Sequence, residues 1–476
     1  MKLTNHNPSA NKLTKQFQKL KSEYMSTKLI LTFMVIGMSI FSNAQTNPAI
    51  TKWLQNTTGI TGRHYVSGNP TPITDAVQAN VQMVRYSANW AYINTNGIPA
   101  YITGPFLDGN PSLATSQNAI FKMPLNATQN TGTLTPTTGG NIGLFVNGVA
   151  LFDYRDGVSW KNSTSQLCGG PIQGCTGDGK WNRDAVVGER LGFDCAKAHP
   201  AMGNYHHHQN PSAFGLDLVV ISNVCSTYPS DGLYVIDASQ HSPLLGFAYD
   251  GFPIYGAYAY NNVDGTGGIV RMKSSYQLRN ITTRTAWADG TDVLDGPVVS
   301  TTYPLGYFRE DYEFVAHPTD PSYLDIHNGR FCVTPEYPAG IYCYFATVNE
   351  NHNSAYPYVV GPTFYGNRTA AKVTSIGETT TTYTPTLGAS AFENTDYKVS
   401  IYPNPATDFI AIQTPMTTRS IKVDLIDELG KVIRSQEIKQ GSTLCVIETD
   451  TVYNGIYFVR ITDGIATRTT KVVIQK

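Results

Sequence analysis

The run His199-Pro200-Ala201-Met202-Gly203-Asn204-Tyr205-His206-His207-His208-Gln209-Asn210-Pro211 holds four of the chain's ten histidines, and His241 follows soon after. An imidazole carries polar nitrogens that need partners wherever it is placed. Four in one short segment are costly for packing alone, and the same ring is the commonest metal ligand. Pro and Gly punctuate the run, which disfavours a long helix. In an extended strand alternate side chains share a face. His206 and His208 then point one way, and Tyr205 and His207 the other. Two imidazoles on one face, completed by one or two from elsewhere, are how β proteins build copper or zinc sites. The candidate ligands are therefore His199, His206, His208 and His241, for Cu(II) or Zn(II). Asp250 is the carboxylate that substitutes if His199 stands away. His207 is expected to pack or to hydrogen-bond.

Hydrolysis at such a site needs a base, and Asp250, Glu310, Asp311 and Glu336 are the carboxylates on offer. None is singled out by spacing, and no catalytic residue is assigned. His-Glu-x-x-His and Gly-x-Ser-x-Gly are both absent. Gly174–Trp181 nearly spells a phosphate loop but has Trp181 where a Mg²⁺-binding hydroxyl belongs, so it reads as a Gly-rich loop. His317, His327 and His352 are isolated, and His64 beside Arg63 reads as surface. The rings of Phe247, Tyr249, Phe252, Tyr255, Tyr258 and Tyr260 are either core or a sugar-stacking platform. The platform would make the chain a non-catalytic carbohydrate- or polymer-binding module, or a structural surface module.

The elements that must position these groups read as short strands and turns. Val81–Trp90 is one long strand or a strand pair, and Ala119–Pro124 is another strand. Gly139–Gly148 runs as a strand into an Asn-Gly turn and is followed by Val149–Tyr154. Trp181–Glu189 suits a short helix capped by Asn182 or Asp184. Leu216–Val224 reads as a buried strand, Leu233–Asp237 as another, and Tyr342–Val348 as a third. Leu244–Tyr260, with its Gly and Pro among aromatics, reads as a tightly turned wall with no regular element.

Composition agrees with an exported β protein. Charged residues make up 14% of the chain and the net charge is −1, so neither nucleic acid nor an anionic membrane is an expected partner. Six of the seven cysteines lie between Cys168 and Cys343. That even set reads as disulfides, with Cys168/Cys175 and Cys332/Cys343 the natural local pairs and Cys195/Cys225 left to bracket the histidines. Sequence alone leaves the connectivity open, and Cys445 stands apart. Lysines precede the apolar core Leu29–Phe41, and Ser42-Asn43-Ala44 offers a cleavage site. Residues 1–44 thus read as an extension and signal peptide, with Met1 or Met25 as the start. The apolar core is too short to span a membrane, and no span is expected in the mature protein.

The histidine run, with its surroundings, resembles the YHYH-domain family. The family's Tyr-His-Tyr-His is matched by Tyr205-His206-His207-His208, with His207 in place of the second tyrosine. Further matching blocks are His241–Gly256, Asp311–Phe314, Leu324–Pro338 and Tyr356–Pro362, with weaker ones at Asn94–Pro99 and Val146–Val149. The resemblance covers roughly residues 80–370 and implies no particular reaction. A second resemblance rests on Tyr402-Pro403-Asn404-Pro405-Ala406, Asn454-Gly455-Ile456-Tyr457 and the terminal Lys471–Lys476. These are similar to the type A sorting domain of the Bacteroidetes type IX secretion system. It implies export to the cell surface or beyond, with the secretion machinery as a partner. The expected architecture is mainly β: an irregular disulfide-braced β domain over 45–370, a Thr-rich linker over 371–396, and a small Ig-like β-sandwich over 397–476. The expected function is binding of a copper or zinc ion in an extracellular oxidoreductase or hydrolase acting on a polymer or small molecule.

Overall fold

The computed structural model describes residues 47–107, 113–172, 174–385, 399–414, 420–427, 430–462 and 467–476. The signal-peptide reading of 1–44 falls outside these residues. The chain divides into two compact units, Met1–Pro385 and Thr386–Lys476. Both are built of β-strands, as expected.

An eight-stranded mixed sheet forms the spine of the first unit. Its order is Ala198–Ala201, Asn204–His207, Ala150–Phe152, Asn141–Phe145, Leu244–Ala248, Pro253–Tyr255, Ile341–Phe345 and Gly329–Cys332. Two neighbouring pairs run parallel: Asn204–His207 beside Ala150–Phe152, and Pro253–Tyr255 beside Ile341–Phe345. The Asn147-Gly148 turn joins two strands of this sheet. Gly148 has φ +77°, and a Cβ there would meet Thr95 Oγ1 at 2.2 Å, so only glycine fits. A second, five-stranded antiparallel sheet has the order Ala371–Val373, Ala119–Pro124, Trp90–Thr95, Val81–Tyr86 and Thr381–Tyr383. The stretch Val81–Trp90 is therefore the start of a hairpin, with Trp90 opening the second strand.

Four expectations change. Leu244–Tyr260 is regular: Leu244–Ala248 and Pro253–Tyr255 lie inside the eight-stranded sheet, and Tyr258–Tyr260 pairs with Ile269–Arg271. The first two strands are buried at every residue because both their faces are covered. They therefore lack the alternation that marks a half-exposed strand. Phe247, Tyr249, Phe252 and Tyr255 are core residues, which removes the stacking platform. Leu216–Val224 is not a strand, and Leu218, Val219, Val220 and Ile221 are exposed. Their backbone is held by side bonds such as Leu218 N to Asn351 O and Asn353 Nδ2 to Val219 O, not by a ladder. Leu233–Asp237 is likewise irregular. The stretch from 371, expected as linker, supplies the two outer strands of the five-stranded sheet.

Disulfides join Cys168 to Cys175 and Cys195 to Cys225. The expected Cys332–Cys343 bridge is not formed: both are buried thiols with sulfurs 3.5 Å apart on neighbouring strands.

The second unit pairs Ser400–Tyr402, Phe409–Gln413 and Leu444–Glu448 in one sheet. Val432–Ile438, Ile421–Ile426, Gly455–Thr462 and Thr467–Ile474 form another. Alternate residues such as Val423, Leu425, Val459, Ile461 and Ile474 fill the core between them, which is the packing of a small β-sandwich. Among the described residues no helix is long and apolar enough to cross a membrane.

Candidate metal centre

Three segments build the site. Ala198–Ala201 and Asn204–His207 form a tight antiparallel hairpin in which His199 is paired with His206. The hairpin docks in parallel register on Ala150–Phe152, with His206 beside Ala150. The third segment is the single helical turn Ala185–Gly188, capped by the Asp184 carboxylate on Val186 N at 2.8 Å. Asp184 is the cap the sequence suggested, but residues Asn182–Asp184 before it are extended. Glu189 closes this turn and carries its carboxylate to the histidines.

The alternation expected of the strand is present. His206 and His208 face one side with Nε2 atoms 3.1 Å apart. His199 joins them, and one ring nitrogen from each of the three lies within 4.8 Å of the others. Glu189 Oε2 stands 3.1 Å from His199 Nε2 and 3.2 Å from His208 Nε2. Neither approach is a hydrogen bond, and Glu189 Oε2 and both His199 nitrogens lack one. All three imidazoles are buried. Phe152 stacks on His206 with ring centres 3.9 Å apart, and Phe193 meets His199 edge-on at 4.9 Å. These contacts leave the rings little room to turn.

Hydrogen bonding on the far side of the rings decides which nitrogens are free. His206 Nδ1 lies 2.8 Å from the Asn204 carbonyl, and His208 Nδ1 lies 2.6 Å from the Asp153 carbonyl. A carbonyl can only accept, so each Nδ1 carries the hydrogen. In the neutral rings both Nε2 atoms are then bare, and their lone pairs oppose one another across 3.1 Å. Something positive must lie between them, a proton or a metal ion. Burial, with the positive charge of His208 and His199 adding to it, pushes His206 well below the usual imidazole range. Burial acts the same way on His208, but the Glu189 carboxylate outweighs it and leaves the ring raised. Burial would raise Glu189, and the two imidazoles reverse this and hold it low, hence charged.

Tyr205 and His207 fill the other face. Tyr205 donates to Asp194 Oδ2 at 2.9 Å, and His207 Nε2 lies 2.7 Å from the Tyr101 hydroxyl. Burial pushes His207 down to about 3, so it is neutral. Asp194 also accepts Gly104 N and Ala196 N, at 2.8 and 3.0 Å. It thereby ties the hairpin to the loop bridged by Cys195–Cys225. This explains how a histidine can stand where the motif has tyrosine: the position is an internal hydrogen-bonding one.

The structure does not bring His241 to the cluster. Its Nδ1 lies 2.8 Å from Ser242 O, its ring packs on Tyr255 and Tyr260, and it borders a separate cavity with Glu336. Nor does Asp250 act as substitute ligand, for it accepts the Tyr344 hydroxyl at 2.5 Å and Gly366 N at 2.8 Å. Of the proposed bases, Glu310 is engaged by Asn182, Asp311 by Arg284, and Glu336 by Tyr255 and Lys52. His64 pairs with Asp75, His317 stacks on Tyr323, His327 meets Thr363, and His352 meets Tyr258. The carboxylate at the cluster is Glu189, which sequence reasoning missed. Its place in the expected helix Trp181–Glu189, just before the histidine run, is the one signal that pointed near it.

No curated protein matches the chain. Among solved structures, one similar chain is a DUF3244 family protein with an immunoglobulin-like β-sandwich fold from Bacteroides vulgatus ATCC 8482. It is 14% identical over 16% of this chain and 84% of that one, with TM-score 0.15. Another is PorZ, an essential bacterial surface component of the type IX secretion system of Porphyromonas gingivalis. It is 11% identical over 86% of this chain and 53% of that one, with TM-score 0.14, so this chain spans about half of PorZ's length. Family models match the YHYH protein family over residues 120–357 and the secretion system C-terminal sorting domain over 400–475. The sorting domain marks the chain for export to the cell surface or secretion, through the type IX machinery. With half its length, including the histidine hairpin and the sheet that carries it, matched by that model, the chain belongs to the YHYH family.

Proposed function

We propose that this exported YHYH protein binds one zinc or copper ion through His199, His206 and His208, with Glu189 completing the donor set. One observation carries this reading: two buried Nε2 atoms, on rings whose Nδ1 atoms are each spent on a carbonyl, face each other at 3.1 Å. Two nitrogens bound to one tetrahedral ion at ~2.0–2.1 Å lie roughly 3.3 Å apart. The approaches of Glu189 to His199 and His208, 3.1 and 3.2 Å, have the same scale. Three imidazoles and one carboxylate suit zinc(II) or copper(II). The carbonyls on His206 and His208 Nδ1 are the outer partners that orient metal-binding histidines.

Glu189 is the exchangeable member. Its side chain is 19% exposed, against 8% for His199 and 3% for His208, so solvent reaches the ion from its side. Displacing it would open a coordination position for water or substrate. Zinc there would serve hydrolysis and copper would serve oxidation and reduction.

The test is the metal content of the purified full chain, followed by chelation and reloading. We expect about one zinc or copper per chain, a melting temperature that falls with chelator and returns with the ion, and loss of the ion in His206→Ala/His208→Ala. If a shared proton alone holds the nitrogens together, the protein will carry no metal and its melting will ignore chelator, which overturns the proposal.

A further inference from the structure

A cleft of ≈ 530 Å³ opens beside the metal centre, and nothing in the histidine chemistry accounts for it. It shares a wall with the centre: Arg190 follows Glu189 in the chain, and Gln209 follows His208. Two observations point to a ligand. The first is charge. Arg190, Arg271 and Lys273 line the cleft, and the one lining carboxylate is Glu350, whose side chain is 79% exposed on the rim. The Arg190 carbonyl accepts Phe193 N, but its guanidinium has neither a hydrogen bond nor an ion pair among the described residues. Arg271 is 3.8 Å from Glu350, and Lys273 is 3.2 Å from Asp320, which lies outside the lining. The second is an unmet polar group. Gln209 is 2% exposed and lines the cleft, and its Nε2 has no hydrogen-bond partner. A buried amide donor left in this state is destabilising unless something occupies the space before it.

Tyrosines share the remaining wall with aliphatic side chains such as Val186, Ile221 and Leu278. Tyr276 and Tyr312 are half-buried and are backed by Tyr356, which stacks on Tyr312 with centres 3.9 Å apart and meets Tyr276 at 5.4 Å, while Tyr323 is already stacked on His317 beside the Lys273 ammonium. Tyrosine faces take the apolar C–H face of a sugar ring, their hydroxyls and an amide take its polar edge, and guanidinium forks take planar anions. Cations and rings together select a saccharide that is also an anion.

We infer that this cleft binds an acidic oligosaccharide, its charged groups against Arg190, Arg271 and Lys273 and its rings against the tyrosines. The inference stands apart from the ion, because no metal-facing atom enters it. Binding is therefore measured on the full chain both as purified and after chelation, and metal content is recorded separately. The probes are oligogalacturonate for carboxylated rings, dextran sulfate for sulfated ones, neutral dextran, and polyglutamate as an anion without sugar, all titrated calorimetrically at about 0.1 M salt. One acidic saccharide should bind, and the better of the two identifies the anion. Arg190→Gln/Lys273→Gln should weaken it at least tenfold, and Glu350→Gln, on the exposed rim, should tighten it. Unchanged melting of these surface variants would separate lost binding from lost folding. Equal binding of neutral dextran, equal binding of polyglutamate, or no binding by either acidic saccharide overturns the inference.

Discussion

Individual residues in this protein do opposite jobs at adjacent positions. His206 and His208 turn their Nε2 atoms toward each other, while Tyr205 and His207, before and between them, are tied into the interior. Asp194 is the anchor of that second set. Burial lifts its carboxyl to about 7, against the bonds it accepts from Gly104, Tyr205, Ala198 and Ala196. An unfolded aspartate sits near ~3.9, so the folded chain holds this proton more tightly. The stability that comes with it is in full force below about pH 4 and is lost as the pH climbs through about 7. Asp194→Asn has no proton to lose. The melting temperature of the variant minus that of wild type should therefore drift upward between pH 5 and pH 8. A flat or downward drift in thermal melts would show that this carboxyl is already charged in the fold.

At the scale of elements, the histidine hairpin is legible in sequence because period two is the plainest signal a strand gives. The two imidazoles on one face followed from it directly. The carboxylate beside them did not, because Glu189 arrives from a separate helical turn and carboxylates are common at such distances in any chain. His241 was chosen by nearness in sequence, but it belongs to the Ser242–Tyr260 side of the sheet. The same limit explains the strands. Leu244–Ala248 is buried on both faces and shows no alternation. The apolar run Leu218–Ile221 has the composition of a buried strand but no partner strand beside it. The Cys195–Cys225 bridge, inferred as the remainder of the cysteine set, does form, and the hairpin falls within its 30-residue loop. Replacing both by serine should cost about 2–4 kcal/mol. Denaturant titration should show this as a lower midpoint, with metal affinity reduced as well. Unchanged metal affinity would mean the bridge braces the loop alone.

At the scale of the whole molecule, two units answer two needs. The family match and the histidine cluster lie in the first, and the sorting domain in the second. The boundary was legible in part: the Pro-Asn-Pro start at Tyr402–Ala406 and the strand alternation after it mark the sandwich. The threonine-rich stretch looked like linker because it has few apolar residues. Its two strands sit at sheet edges, where exposed polar side chains are expected. Deleting residues 397–476 should keep the first unit folded and leave it inside the cell envelope. Surface-protease accessibility in the producing cell would read this out as loss of the exposed fraction, and undiminished surface display would contradict it.

The turn at Met202-Gly203 has a consequence beyond joining two strands. Gly203 sits at φ +81°, and a Cβ there would meet Thr115 Oγ1 at 2.0 Å, so the bend calls for glycine at this position. Side chains change sides at every residue of a strand. One amino acid gained or lost at this bend would rotate Tyr205 and His207 into the cage and send the donor imidazoles into the interior. A one-residue change of length at this bend is therefore predicted to disperse the cluster unless the extra residue is taken up as a bulge. The spacing between His199 and His206 is a measure any bearer of the same cage must keep.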